Sequence, residues 1–204
     1  SARVSWRLPD FFDDESGSVL VLKNSASPPI WILFQRQAQV PTEGYFVYQL
    51  SYNLRNTRHI ADIVRQLGEV SMQSHPKAPA GEPPIVRSQA KGEKAVQELE
   101  RLLRRLIEEE GVLPNQVAIL TPHSRPNSLL AGVETLAGQP LTHNPYEEGV
   151  FHGTIGAYKG LESDVLILAD IDPRDERCSR NARYVAASRA CQLLYVFAKG
   201  DWLA

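Results

Sequence analysis

The chain has 204 residues, 43% hydrophobic and 23% charged, and a formal net charge of -2. That length builds one ordinary domain with room for an appendage, and it excludes a two-domain motor. The charge excludes a global basic field that would draw the chain to nucleic acid, so any such binding must come from a local surface. No apolar run is long enough to span a membrane and nothing resembles a signal peptide, which makes the cytoplasm the default expectation. The first residue is Ser1 and not methionine, which suggests a cut or processed chain.

Residues 1 to about 45 mix short apolar pieces, "SVLVL" and "PIWILF", with Pro28, Pro29, Pro41 and an acidic patch at Asp13, Asp14 and Glu15. From Tyr45 the pattern becomes regular. "YFVYQLS" has the aromatic and β-branched content of a strand, and "NTRHIADIVRQLG" reads as a helix ending at Gly68, its first turn capped by Asn56 or Thr57. Residues 71 to 84 form a loop by composition, and "PIVRSQ" a strand.

Residues 92 to 110 give the clearest helix, with Val96, Leu99, Leu103, Leu106 and Ile107 on one face. The arginines of its other face, Arg101, Arg104 and Arg105, alternate with Glu98, Glu100, Glu108 and Glu109, the mark of a solvated face and not of a DNA patch. "QVAILTP" is a buried strand, "NSLLAGVETLAG" a helix closed by Gly138, and "GVFHGTI" a strand. The strand "DVLILADI", a helix over "SRNARYVAASRA" and the strand "QLLYVFA" complete the chain. Strands alternating with helices, and apolar on both faces, predict an α/β fold with a mostly parallel sheet covered on both sides.

Cys178 and Cys191 lack a second pair, which fits neither a zinc site nor a disulfide framework. His59, His75, His123, His143 and His152 are scattered without metal-motif spacing, so no metal site is expected. There is no Gly-Lys dipeptide, and hence no phosphate-cradling G-x-x-x-x-G-K-[ST] loop. Ligands of parallel sheets gather at the carboxyl ends of the strands, which makes the loop ending at Thr154 and the Tyr158 to Ser163 turn candidates for a working edge.

Three separated segments put polar residues beside core elements. They are "NLRNTRHI" with Arg55, "TIGAYKGLESDVLIL" with Thr154, Lys159, Gly160 and Glu162, and "RYVAASRACQLLYVF" with Arg189. Taken singly, each has a plain structural explanation: a solvated arginine at a helix end, or a surface ion pair between Lys159 and Glu162. Ala186, Ala187 and Ala190 would let the last helix pack close to the sheet.

Together, and in this order, the segments resemble the fourth, fifth and sixth motifs of UvrD/Rep-like superfamily 1 DNA helicases: N-Y-R-S or N-x-R-N-T, T-x-H-x-x-K-G-L-E and Y-V-A-x-T-R-A. The resemblance implies a RecA-like three-layer sandwich over residues 45 to 204, the second motor domain, with residues 1 to 44 the tail of the first motor domain or a connector. It implies that Arg55 reaches the γ-phosphate of ATP, that Glu162 meets the ribose, and that Arg189 is an arginine finger. Thr154 would approach the backbone of single-stranded DNA, and Lys159 and Gly160 would join Glu162 in the nucleotide-binding set, Lys159 supporting the turn that links the two surfaces. ATP and Mg2+ would be held mainly by a separate P-loop motor domain, leaving this chain inactive alone. Arg55 and Arg189 would then be two unpaired cations facing an empty cleft.

Leu54, Gly156 and Ser163 depart from the usual tyrosine, histidine and apolar residue, and Ser188 replaces threonine. These departures sustain a second reading, a non-catalytic nucleic-acid-binding or scaffold module with a degenerate helicase fold. An unrelated doubly wound domain binding a small ligand would require three coincidental matches.

Overall fold

The computed structural model describes residues 52–69 and 73–204, together with the backbone of three strands before residue 50. The chain divides into two compact units, Ser1–Leu50 and Ser51–Ala204. In the first, β1 (Val19–Lys23) lies between β2 (Trp31–Phe34) and β3 (Tyr45–Gln49), antiparallel to both. The apolar pieces "SVLVL" and "PIWILF" therefore supply strands, and "YFVYQLS" supplies a third that pairs within this unit. The acidic patch at Asp13, Asp14 and Glu15 lies outside the described residues.

The second unit opens with β4 (Tyr52–Asn53), α1 (Arg58–Gly68), β5 (Gln73–Ser74), β6 (Ile85–Ser88), α2 (Glu93–Arg104) and β7 (Val117–Thr121). It continues with β8 (Thr135–Leu136), β9 (Gln139–Thr142), β10 (Val150–Thr154), β11 (Ser163–Ile171), α3 (Arg180–Ala187) and β12 (Ala190–Ala198). Seven strands form one sheet in the order β6-β12-β11-β7-β10-β9-β8, and all but β8 run parallel. The parallel sheet predicted from two-faced apolar strands is present.

Alternation along the central strands divides the core into two layers. Leu166 and Leu168 of β11, with Leu120 and Val196, pack in one cluster with Ile60, Val64 and Leu67 of α1 and Ala186 and Ala187 of α3. Val165 and Ile167, with Ile119 and Phe197, pack in the other with Leu99 and Leu103 of α2 and Leu106 of the turn that follows it. A leucine or isoleucine buried this fully contributes about 1.5–3 kcal/mol, so β11 alone anchors both layers.

Two elements differ from expectation. The helix predicted over "NSLLAGVETLAG" is instead a turn-rich segment ending in a hairpin: Leu136 pairs with Gln139 across Ala137 and Gly138, at φ 51° and 74°. Positive φ at both turn positions matches the twist of the flanking strands and is incompatible with a right-handed helix. Leu129, Val133 and Leu136, at spacings of four and three, mimic a helical stripe because all three pack into the α2 layer. The second difference is at the end of α2, where the helix predicted to residue 110 becomes a π-helical turn, Arg105–Glu109. Its charged face is self-paired as expected, Arg104 lying 2.8 Å from Glu100 and 3.9 Å from Glu108.

Candidate functional site

The segment Asn53 to Thr57 leads from β4 into α1. Asn53 Oδ1 accepts the backbone N–H groups of Arg55 (3.0 Å) and Asn56 (3.1 Å), and Asn53 Nδ2 donates to Asn56 Oδ1 (2.6 Å). This local bonding folds the segment into a tight turn that turns Leu54 and Arg55 outward while Asn53 and Asn56 are buried. The expected side-chain cap is absent: Thr57 holds the N-cap position without a side-chain hydrogen bond, and its Oγ1 is buried without a partner. The first N–H groups of α1 are satisfied from elsewhere, Arg58 N–H by the Pro79 carbonyl (3.0 Å) and His59 N–H by the Ala80 carbonyl (3.2 Å).

The turn after β10 takes the chain from one edge of the sheet to the other. Thr154 pairs with Thr121 at the carboxyl end of β7, whereas Ser163 pairs with Ala190 at the amino end of β12. Tyr158 pins the turn, packing on Phe151 with ring centroids 4.8 Å apart and donating from its hydroxyl to the Glu162 carbonyl (2.9 Å). Gly160, at φ 85°, adopts a conformation that L side chains avoid. Lys159 and Glu162 are both exposed.

Three residues distant in sequence meet at the amino edge. Arg55 Nε lies 2.7 Å from Glu162 Oε2, with the two side chains 43% and 57% exposed. Arg189 follows α3 and precedes β12; it is 4% exposed, and its buried Nε has no hydrogen-bond partner. Burial first, and the neighbouring Arg55 guanidinium second, lower the Arg189 pKa. The expectation of two unpaired cations facing an open cleft is thereby corrected. Arg55 is paired with Glu162, and Arg189 sits below the surface with an unsatisfied donor. The expectation that both candidate loops lie at the carboxyl ends of the strands is corrected too, because Arg55, Glu162 and Arg189 gather at the amino ends of β11 and β12 and Thr154 lies at the opposite edge.

A cleft of about 830 Å³ adjoins Arg55, lined by Leu54, Lys77, Gln192 and Leu193 among others. Leu54, in place of the aromatic residue of the motif, is 77% exposed on its wall. Ser163 is well accommodated: its buried hydroxyl lies 2.8 Å from the carbonyls of both Gln116 and Val165. At Gly156 a Cβ would meet only Thr154 Oγ1, at 4.0 Å, so the site has room for the absent side chain. Thr154 Oγ1 accepts the Ala157 N–H (3.0 Å). Among the described residues no group of three His, Cys, Asp or Glu side chains is arranged to hold a metal ion, and no helix is long and apolar enough to cross a membrane.

Sequence reasoning missed Asn53 and the interlocking role of Asn56. Their signal was the N-x-x-N spacing around Arg55, which fits an asparagine turn as well as a helix cap.

No family model and no curated protein matches the chain. Among solved structures, its fold is similar to the C-terminal domain of a possible DNA helicase from Lactobacillus plantarum WCFS1, with a TM-score of 0.55 and 22% identity over 74% of this chain and 91% of that one. A PRRSV helicase aligns with a TM-score of 0.40 and 16% identity over 74% of this chain and 23% of the viral one. The first likeness establishes the fold: a mixed α/β, RecA-like three-layer domain with a mostly parallel central sheet.

Proposed function

We propose that this chain is the C-terminal, second motor domain of an ATP-dependent, UvrD/Rep-like superfamily 1 DNA helicase. The observation that carries the reading is the convergence of Arg55, Glu162 and Arg189, drawn from three motifs spread along the chain, at one edge of the sheet. A buried guanidinium with an unsatisfied Nε beside a second guanidinium favours the arrival of an anion, and phosphate oxygens fit the planar donors of arginine. In this reading Arg55 and Arg189 neutralise charge on the transferred phosphoryl group and Glu162 meets the ribose. Lys159 and Gly160 shape the turn that joins this edge to Thr154, which approaches the single-stranded DNA backbone.

ATP and Mg2+ would be held mainly by a P-loop motor domain, because this chain has no Gly-Lys dipeptide to cradle phosphates. Hydrolysis in this class of reaction depends on positioning and charge stabilisation, and the arginines are this chain's contribution. In a protein that contains both motor domains, Arg189→Ala should leave folding and DNA binding nearly intact while reducing ATP turnover by about 10³-fold or more. Turnover within a few-fold of the parent would remove Arg189 from the finger role and favour the scaffold reading.

A further inference from the structure

Asn56 is 4% exposed, and every polar atom of its carboxamide is used. Nδ2 donates to the Ser188 carbonyl (3.3 Å) and to the Ala190 carbonyl, and Oδ1 accepts from Asn53 Nδ2 (2.6 Å). An amide offers two N–H donors and one carbonyl acceptor, so the group is fully committed. The carbonyl between those two, that of Arg189 itself, accepts the Ser163 N–H (3.0 Å), and the next, that of Cys191, accepts the Thr57 N–H (3.1 Å). The backbone on either side of Arg189 is thus gripped by the residue that follows Arg55, and Arg189 by the residue that follows Glu162.

The polar contacts of the two arginine side chains above this lattice hold them only weakly. The Arg55–Glu162 pair is about half exposed, and such pairs contribute about 0–1 kcal/mol. Arg189 Nε has no partner. Gripping a phosphoryl group requires donors held to within about 0.5 Å of the productive geometry, and that precision has to come from the backbone beneath.

We propose that Asn56 is a positioning residue, which sets the spacing of the Arg55 and Arg189 guanidinium groups by tying one arginine's loop to the other's backbone. This rests on the reading of the two arginines as phosphate ligands, and the test separates the two ideas. The variant is Asn56→Ser, too short to bridge both carbonyls. Two measurements are made on the full chain: the arginine Nε–Hε NMR signals without ligand, and titration with inorganic tripolyphosphate in a double-mutant cycle with Arg55→Ala.

Positioning predicts that the Arg189 Nε–Hε signal is distinct and slowly exchanging in the parent and moves towards the free-arginine position in Asn56→Ser, while backbone signals of the sheet stay put. It also predicts that Asn56→Ser weakens tripolyphosphate binding about tenfold beside an intact Arg55 and adds little when Arg55 is alanine. An unchanged Arg189 signal in folded Asn56→Ser, or additive losses in the cycle, overturns the proposal. If the parent does not bind tripolyphosphate, the phosphate reading fails, and the NMR signals still decide whether Asn56 positions Arg189. Should Asn56→Ser fail to fold, Asn53→Ser keeps an oxygen for the turn's N–H groups and removes the contact to Asn56 Oδ1. The same NMR shift, smaller in size, is then expected, and its absence is equally decisive against the proposal.

Discussion

Arg189 shows how two demands are met at one residue. Its burial conflicts with its charge, and desolvating an unpaired guanidinium costs stability that an apolar residue would not. The arrangement becomes sensible when an anion supplies the missing acceptor. Because the geometry asks for a planar fork, Arg189→Lys should fail nearly as badly as Arg189→Ala in ATP turnover by the two-domain protein, although the charge is kept. Turnover restored by lysine would show that only charge matters there. Gly81 is a second point of constraint: at φ 67°, its Cβ would fall 2.5 Å from Thr57 Oγ1 and 2.4 Å from Thr57 Cβ. Gly81→Ala should therefore destabilise the chain by roughly 1–3 kcal/mol, read as a lower midpoint in urea with an unchanged slope, and an unaltered midpoint would show that the 75–82 loop yields freely. At this scale the order of the motifs was enough to single out Arg55, Glu162 and Arg189, which the fold brings together. The sequence was not legible where the outcome depended on which partner a side chain reaches. Glu162 stands three residues from Lys159 in sequence, and its carboxylate meets Arg55 across more than a hundred residues.

At the scale of elements, short continuous apolar runs were enough to identify β7, β10, β11 and β12, because strands buried on both faces carry almost nothing but apolar residues. The hairpin of β8 and β9 was hidden because Leu129, Val133 and Leu136 reach the core at helix-like spacings of four and three while the backbone turns at Ala137 and Gly138. Ala137 carries a positive φ that asparagine tolerates better, so Ala137→Asn should stabilise the chain by about 0.5 kcal/mol in urea unfolding; a clear loss would mean that the packing of the methyl group outweighs the turn preference. Strand β10 holds a further liability in His152, which is fully buried with neither ring nitrogen hydrogen-bonded. Its pKa is lowered to about 4, by burial first and then by the Arg125 and His143 charges. The unfolded chain, with an ordinary histidine pKa near 6.5, takes up the proton first, so stability is full above about pH 6.5 and falls as pH drops towards 4. The loss is on the order of 3 kcal/mol, and His152→Gln should flatten that slope. An equal slope in both proteins would assign the acid sensitivity elsewhere.

At the scale of the molecule, a doubly covered parallel sheet carries two separate edges. The guanidinium cluster occupies the amino edge and Thr154 the carboxyl edge, and the Tyr158-pinned turn runs between them. On the reading proposed above, that arrangement suits a domain that reports nucleotide state at one edge to a nucleic-acid strand at the other. With a net charge of -2, the chain alone should bind single-stranded DNA weakly at physiological salt; fluorescence anisotropy over a salt series checks this, and submicromolar affinity that survives high salt would favour a dedicated binding module. The most direct measurement is steady-state ATP turnover with Mg2+ and single-stranded DNA, for this chain alone and for the same chain joined to a P-loop motor domain. A motor half predicts no turnover for the isolated chain and DNA-stimulated turnover, lost in Arg189→Ala, for the joined protein. Turnover by the isolated chain at about 1 per second or more, or a joined protein indifferent to Arg189, would contradict it.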